Sequence, residues 1–279
     1  MTIAIFTLII FLGALLAGFL GSLTGLGGGF VIIPLLTLVF KVDIHYAIGA
    51  SLVAVIATSS GSAAAYVKEG ITNIRLGMFL EIATTLGAVC GAFIAVYTPT
   101  NIIAVIFGLI LMFSALTSLQ KKKAVTGKQS LPDPLSVKLK LNSSYPTSDG
   151  NVDYTVRYVP GGFFTMLGAG ILSGLLGVGS GALKVLAMDN IMRIPFKVST
   201  TTSNFMIGVT AAASAGIYLY RGYIDPGLCM PVTLGVLAGA FLGSRVLPNV
   251  KTTLLRTVFA FVIMLVALQM LYNGFMKKI

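Results

Sequence analysis

The sequence predicts an all-α polytopic membrane protein made of two inverted repeats of about five membrane segments each. Three observations carry the prediction. Of 279 residues, 56% are hydrophobic and only 10% are Asp, Glu, Lys or Arg, against about 25% charged residues in an ordinary soluble domain. A water-facing surface cannot be assembled from so few charges. Apolar runs of about 20 residues, the length that crosses roughly 30 Å of hydrocarbon, recur along the chain. The chain also matches itself at one fixed offset: Gly25, Gly27 and Gly29 fall on Gly177, Gly179 and Gly181, Ser51 on Ser203, Thr58 on Thr210, Gly87 and Gly91 on Gly239 and Gly243, and Phe107 on Phe259. Chance matches between apolar stretches do not produce an ordered, gap-free set of glycines and hydroxyls.

The elements follow in order. Residues 3–23 form a long apolar piece with no basic leader and no Ala-x-Ala cleavage site, so it reads as a retained membrane helix. It runs into the cluster Gly25-Leu26-Gly27-Gly28-Gly29. A short piece, 30–40, follows, and then three long ones, 46–67, 76–97 and 102–119. The second half repeats the series: 159–176, the cluster Gly177-Val178-Gly179-Ser180-Gly181, a short piece 182–191, then 198–219, 228–247 and 254–272. At 1.5 Å per residue the short pieces reach only about 15–18 Å, which makes them half-helices. The domain division is therefore 1–119, a cytoplasmic linker 120–158, and 159–279. The linker opens with Lys121-Lys122-Lys123 and carries Pro132, Pro134, Pro146 and Asp149-Gly150. Residues 136–141 and 152–158 alternate polar and apolar around turn chemistry, which predicts a small β-hairpin.

The net charge of +11 reports topology rather than nucleic-acid binding, because Lys and Arg collect in cytoplasmic loops. With the N-terminus outside and ten crossings, 15 of 19 basic residues lie inside, leaving Lys41, Arg221, Lys277 and Lys278 outside; the best arrangement with eight crossings and parallel halves places 12 inside. The first half is basic after its third piece (Lys68, Arg75) and the second before it (Arg193, Lys197). Equivalent loops have exchanged charge, as inversion requires. Cys90 and Cys229 form no metal or disulfide pattern. The expected location is the prokaryotic cytoplasmic membrane, multi-pass, and no feature specifies an oligomeric state.

Inverted repeats with interrupted helices are a transporter architecture, with substrate near the midplane where helix ends point inward. Each glycine cluster forms the N-terminus of a short piece, whose unpaired N–H groups and partial positive charge suit an anion. Close packing of helices through small residues is the competing reading. Two clusters in register, each before a short piece, favour the anion site and make Gly27, Gly28, Gly29, Gly179, Ser180 and Gly181 its backbone.

The run Gly25-Leu26-Gly27-Gly28-Gly29-Phe30-Val31-Ile32-Ile33-Pro34-Leu35, with Gly177–Gly181 and Lys197-Val198-Ser199-Thr200-Thr201-Thr202-Ser203-Asn204 in the second half, resembles the TauE/SafE sulfite exporters, also called the 4-toluene sulfonate uptake permease family. The resemblance covers both membrane halves but not residues 120–158. It implies transport of sulfite, thiosulfate or organosulfonates across a bacterial or archaeal cytoplasmic membrane. The second motif departs from the first at Ser180, Lys184 and Leu186, where Gly28, Ile32 and Pro34 stand in the first half, so the two halves of the site are not chemically equivalent.

Further candidates come from polar side chains in apolar segments. Lys184 either pairs with a divalent oxyanion or snorkels to the cytoplasmic surface. Ser203 and Asn204, with Ser51 as the first-half counterpart of Ser203, offer neutral donors to sulfonate oxygens; Thr58, Ser59 and Thr210 lie deeper and are weaker candidates. Glu81 is a candidate carrier of a coupling proton, although an ion pair with Arg75 is the favoured reading; Asp189 with Arg193 reads as a loop pair. No enzyme signature emerges. His45, the sole histidine, sits in a polar loop, and the glycines of a Gly-x-Ser-x-Gly elbow are replaced by Val178 and Ala182. No cofactor or metal is expected. The predicted function is a secondary transporter moving a small sulfur oxyanion or organosulfonate, sulfite first, outward by alternating access, with an anion channel using the same loops as the alternative.

Overall fold

The computed structural model describes residues 3–24, 28–68, 70–119, 133–147, 150–246 and 252–276. The protein is helical, with one two-stranded ribbon among the described residues. The first half contains α1 (Ile3–Thr24), α2 (Gly29–Pro34, continuing as a π-helical turn Leu35–Val39), α3 (Ile44–Lys68), α4 (Ile74–Tyr97) and α5 (Thr100–Leu119). The second contains α7 (Val159–Leu176), α8 (Gly181–Leu186, continuing as a π-helical turn Ala187–Ile191), α9 (Phe196–Tyr220), α10 (Pro226–Val246) and α11 (Thr252–Phe275). Each predicted apolar piece is thus a helix, and the two short pieces are the two helices that end in a widened turn. Proline is not the cause of the widening, because Pro34 opens it in α2 whereas Leu186 stands there in α8.

Between the halves lie α6 (Pro134–Lys138) and strands β1 (Ser143–Thr147) and β2 (Gly150–Tyr154), paired antiparallel with Ser143 opposite Tyr154. The run 136–141, expected as a strand, instead begins inside α6. Asp133 caps that helix by accepting from the Leu135 amide (3.0 Å), and Pro134 occupies its first position, where a missing N–H costs nothing. The ribbon is tied to the bundle through buried Asn73, whose side-chain amide donates to the Leu141 carbonyl (2.9 Å) and the Tyr154 hydroxyl (2.8 Å). Burial of Tyr154 raises the pKa of its phenol above the ordinary value.

Small residues are frequent on the buried faces of the helices, and large apolar ones cover the outward faces. In α4, Gly77, Ala83, Gly87, Ala88, Gly91, Ala92 and Ala95 are buried, while Met78, Ile82, Leu86 and Phe93 are exposed. A soluble protein would expose polar groups there; hydrocarbon accepts this pattern, and small residues let helix backbones approach closely. Two described helices, Ile74–Tyr97 and Val159–Leu176, are long and apolar enough to cross a membrane, and six others carry apolar described stretches of 10–17 residues.

Glycine contacts give the relative directions of the helices. Gly235 of α10 meets Phe11 and Leu15 of α1, and Gly239 meets Leu15 and Phe19, so α1 and α10 run parallel. The equivalent pair behaves alike: Gly170 of α7 meets Thr84 of α4, and Gly174 meets Ala88 and Ala92. By contrast, Gly49 of α3 meets Tyr223, just beyond α9, whereas Gly208 within α9 meets Ser59 of α3, so α3 and α9 run antiparallel. Gly108 of α5 meets Ala267 and Leu271 of α11, and Gly274 meets Asn101 and Val105, which makes that pair antiparallel as well.

One end of the α3–α9 seam is closed by His45, which lies in the first turn of α3 rather than in a loop. It stacks on Tyr223 (centroids 4.9 Å apart), with Nδ1 3.1 Å from Asp43 Oδ1 and Nε2 3.1 Å from the Ala95 carbonyl. Both ring nitrogens face acceptors, so the geometry favours the doubly protonated ring. The hydrogen bond from His45 holds the Asp43 carboxyl below its ordinary pKa.

Close backbone contact predicts contrasting glycine variants. A Cβ on Gly91 would overlap the Ile171 carbonyl, whereas one on Gly168 meets nothing within 4 Å. Gly91→Ala should destabilise the detergent-solubilised protein by about 1–3 kcal/mol through overpacking, and Gly168→Ala should raise stability by up to about 1 kcal/mol through helix propensity. Thermal unfolding of the two variants beside wild type checks both signs.

Candidate functional site

The loop before α8 is lodged between α3 and α9. Gly177 (φ +66°), Gly179 (φ +70°) and Ser180 (φ +44°) all take left-handed backbone conformations. For Gly179 there is no room either, since a Cβ would lie 2.7 Å from Ile207 of α9 and 3.2 Å from Val55 of α3. Two hydroxyls pin the loop from opposite sides. Ser51 Oγ donates to the Gly177 carbonyl (2.9 Å) and Ser203 Oγ to the Gly181 carbonyl (3.2 Å). Each hydroxyl has one proton, and here that proton is committed to holding the loop.

The first-half loop reaches the same place. Gly27 lies outside the described residues. Gly28 and Gly29 are buried at the start of α2, and the Gly28 carbonyl accepts from the Val31 and Ile32 amides. A Cβ on Gly29 would lie 2.8 Å from Ser51 Oγ and 3.1 Å from the Val178 Cα, so the two glycine clusters touch. The first bond of α8 is from the Lys184 amide to the Ser180 carbonyl (3.0 Å). The amides of residues 181–183 therefore have no carbonyl one turn back within the helix, the usual state of a helix start. Ser180 is 1% exposed, and its hydroxyl has no hydrogen-bond partner among the described residues. Asn204 is only partly buried and is not among the residues bonded to the loop.

One turn into α8, Lys184 is fully buried. It does not snorkel: its ammonium donates to Thr210 Oγ1 of α9. Thr210 in turn donates to Glu81 Oε1 of α4 (2.6 Å), which also accepts from Thr85 (3.2 Å). Glu81 Oε2 is buried with no partner among the described residues. Three helices thus contribute one residue each to a chain Lys184–Thr210–Glu81, in which a hydroxyl joins opposite charges. The expected Glu81–Arg75 pair is overturned, because Arg75 donates instead to the Lys140 carbonyl (3.3 Å). Six positions along a helix turn two side chains about 240° apart, so these two face different sides. Asp189 is buried within the widened turn that follows α8, and Arg193 is exposed.

The two halves differ here. At the positions related by the repeat to Lys184, Thr210 and Glu81 stand Ile32 and Thr58 in the first half and Thr233 in the second. The backbone cradle is duplicated, whereas the charge is present once.

Comparison with known proteins places this arrangement. The family described as Sulfite exporter TauE/SafE matches residues 10–270. A probable membrane transporter protein of Bacillus subtilis is 29% identical over 96% of this chain and 98% of its own length. A second from the same organism is 27% identical over 85% of this chain and 87% of its own length, and one from Methanocaldococcus jannaschii is 24% identical over 92% of each. No solved structure matches. With nearly the whole of both membrane halves inside the family match, the chain belongs to the sulfite exporter TauE/SafE family of membrane transporters.

Proposed function

We propose that the protein is a secondary transporter of a small sulfur oxyanion or organosulfonate, with sulfite as the first candidate and export as its direction, working by alternating access. The observation that carries this reading is the meeting of two glycine loops between α3 and α9, with the unpartnered Ser180 hydroxyl and the buried Lys184 beside them. In the proposed site, amides at Gly28, Gly29, Gly179, Ser180 and Gly181 face the anion, and Ser180 adds a hydroxyl donor. Lys184 supplies the charge. Ser51 and Ser203 hold the loops in place, and Asn204 borders the site.

The halves 1–119 and 159–279 are read as inverted in the membrane, with 120–158 on the cytoplasmic side. Helix directions support this. Equivalent helices point the same way when a half crosses the bilayer an even number of times and opposite ways when it crosses an odd number. The antiparallel pairs α3–α9 and α5–α11 fit five crossings per half, as does the division of the basic residues, 14 inside to 4 outside once the buried Lys184 is set apart (15 − 1).

Topology is testable in intact cells. Single cysteines placed in the 120–158 linker of a cysteine-free variant should be shielded from impermeant thiol reagents, and Asp225→Cys should be labelled; ready labelling of the linker contradicts inversion. The binding site is testable in proteoliposomes. Sulfite counterflow is expected in wild type, whereas ohmic anion current without counterflow would mark a channel. Ser180→Ala removes a hydroxyl that has no hydrogen-bond partner among the described residues, so it should leave thermal stability within about 0.5 kcal/mol. It should weaken sulfite binding roughly tenfold, the loss of one charge-assisted hydrogen bond. Unchanged sulfite affinity would remove Ser180 from the site.

A further inference from the structure

We propose that the Lys184–Thr210–Glu81 chain couples the anion to a proton: the anion takes Lys184 as its countercharge, and Glu81 takes up one proton in the same event. The inference rests on the anion site described above and assigns it a coupling ion. Glu81 and Lys184 are both buried, and in that setting each ionised group depends on the other for compensation. Lys184 follows Ser180 by one helical turn, and helical side chains lean toward the N-terminus of their helix. An anion at the loop therefore arrives on the side from which the ammonium can reach it. Once Lys184 is shared with that anion, Glu81 has lost its countercharge in a medium that does not tolerate one alone.

The charges balance only one way. Before binding, the ammonium of Lys184 and the carboxylate of Glu81 sum to zero. After sulfite joins Lys184 in its singly charged form, hydrogensulfite, a proton taken from solution forms an O–H bond at Glu81 and the sum returns to zero; the proton returns to solution when the anion leaves. The accepting atom is Oε2, because Oε1 already receives the Thr210 and Thr85 hydroxyls while Oε2 has no partner among the described residues. Among the described residues, Lys184 is the charged group that acts on Glu81. Glu81 is faced by Lys184 from α8, by the Thr210 hydroxyl from α9 and by Thr84 and Thr85 on its own helix, and α7, packed along α4, carries no ionisable side chain. The symmetry-related positions, Ile32 and Thr58 in the first half and Thr233 in the second, carry no charge, so the stoichiometry is one proton per transport cycle. Net export of the anion then requires its outward gradient to exceed the inward gradient of protons.

The test is an infrared difference spectrum of the full-length protein in lipid on adding sulfite, run on preparations first assayed for sulfite counterflow. The expected result is the C=O stretch of one protonated carboxyl per sulfite bound, clear of the amide bands and shifted down in heavy water. The band should persist in Asp189→Asn and be missing from Glu81→Gln. Absence of counterflow would overturn the functional reading, and this inference with it. Counterflow without the carboxyl band in wild type overturns the coupling alone, whether or not Glu81→Gln folds. A band retained in Glu81→Gln, or lost in Asp189→Asn, assigns the proton elsewhere and overturns it too.

Discussion

A bilayer offers no water to backbone groups, so a broken helix at membrane depth survives only where protein surrounds it. The rest of the structure depends on that constraint. The loop 177–181 carries three left-handed residues in a row of five, and it persists because α3 and α9 clasp it and spend a serine hydroxyl each on its carbonyls. Ser51 and Ser203 are equivalent residues of the two halves, so the clasp is made by the repeat itself. The antiparallel run of α3 against α9 brings those two serines to opposite ends of the loop, Ser51 to Gly177 and Ser203 to Gly181, and the glycine clusters touch beside Ser51.

Around this centre, the small residues that line the bundle do for the helices what the serines do for the loop. Glycine and alanine on the inner faces of α1, α4, α7 and α10 bring backbones together, and the bulky residues face outward. The close pairs α1–α10 and α4–α7 each join one helix from either half. Neither half is therefore a self-contained block, and relative movement of the halves must be carried by side chains at these seams. Onto this near-symmetric frame the sequence adds one asymmetric feature, the buried charges of Lys184 and Glu81 joined through Thr210. Duplication supplies the cradle, and divergence supplies the charge.

Much of this was legible in the sequence. The fixed-offset repeat marked the ten apolar pieces, and the glycine clusters marked the breaks, because both follow from hydrophobicity and backbone freedom, which are local properties. The contacts of Glu81 were misread. Arg75 is near in sequence but on another face of the helix, whereas Lys184 is 103 positions away (184 − 81) and near in space. A rule of pairing was nonetheless available: two opposite charges set deep in apolar segments demand each other. Thr210, ranked low as one hydroxyl among many, gained its place only from that pairing. Ser51 and Ser203 sit where they were expected, but with their protons committed to carbonyls, a detail of register that no spacing reveals. In the linker, Asp133-Pro134 is a helix start signal that outweighed the alternation of residues 136–141.

The most direct test of the account is a disulfide across the α3–α9 seam. A Cβ on Gly208 would stand 3.6 Å from the Ser59 Cβ, within the span that a disulfide bridges. In a variant lacking Cys90 and Cys229, Ser59→Cys with Gly208→Cys should cross-link on mild oxidation in native membranes, and Ser59→Cys with Thr200→Cys should not. No cross-link at 59–208 would mean that α3 and α9 do not meet in this antiparallel register, and the inverted halves and the loops meeting between them would fall together.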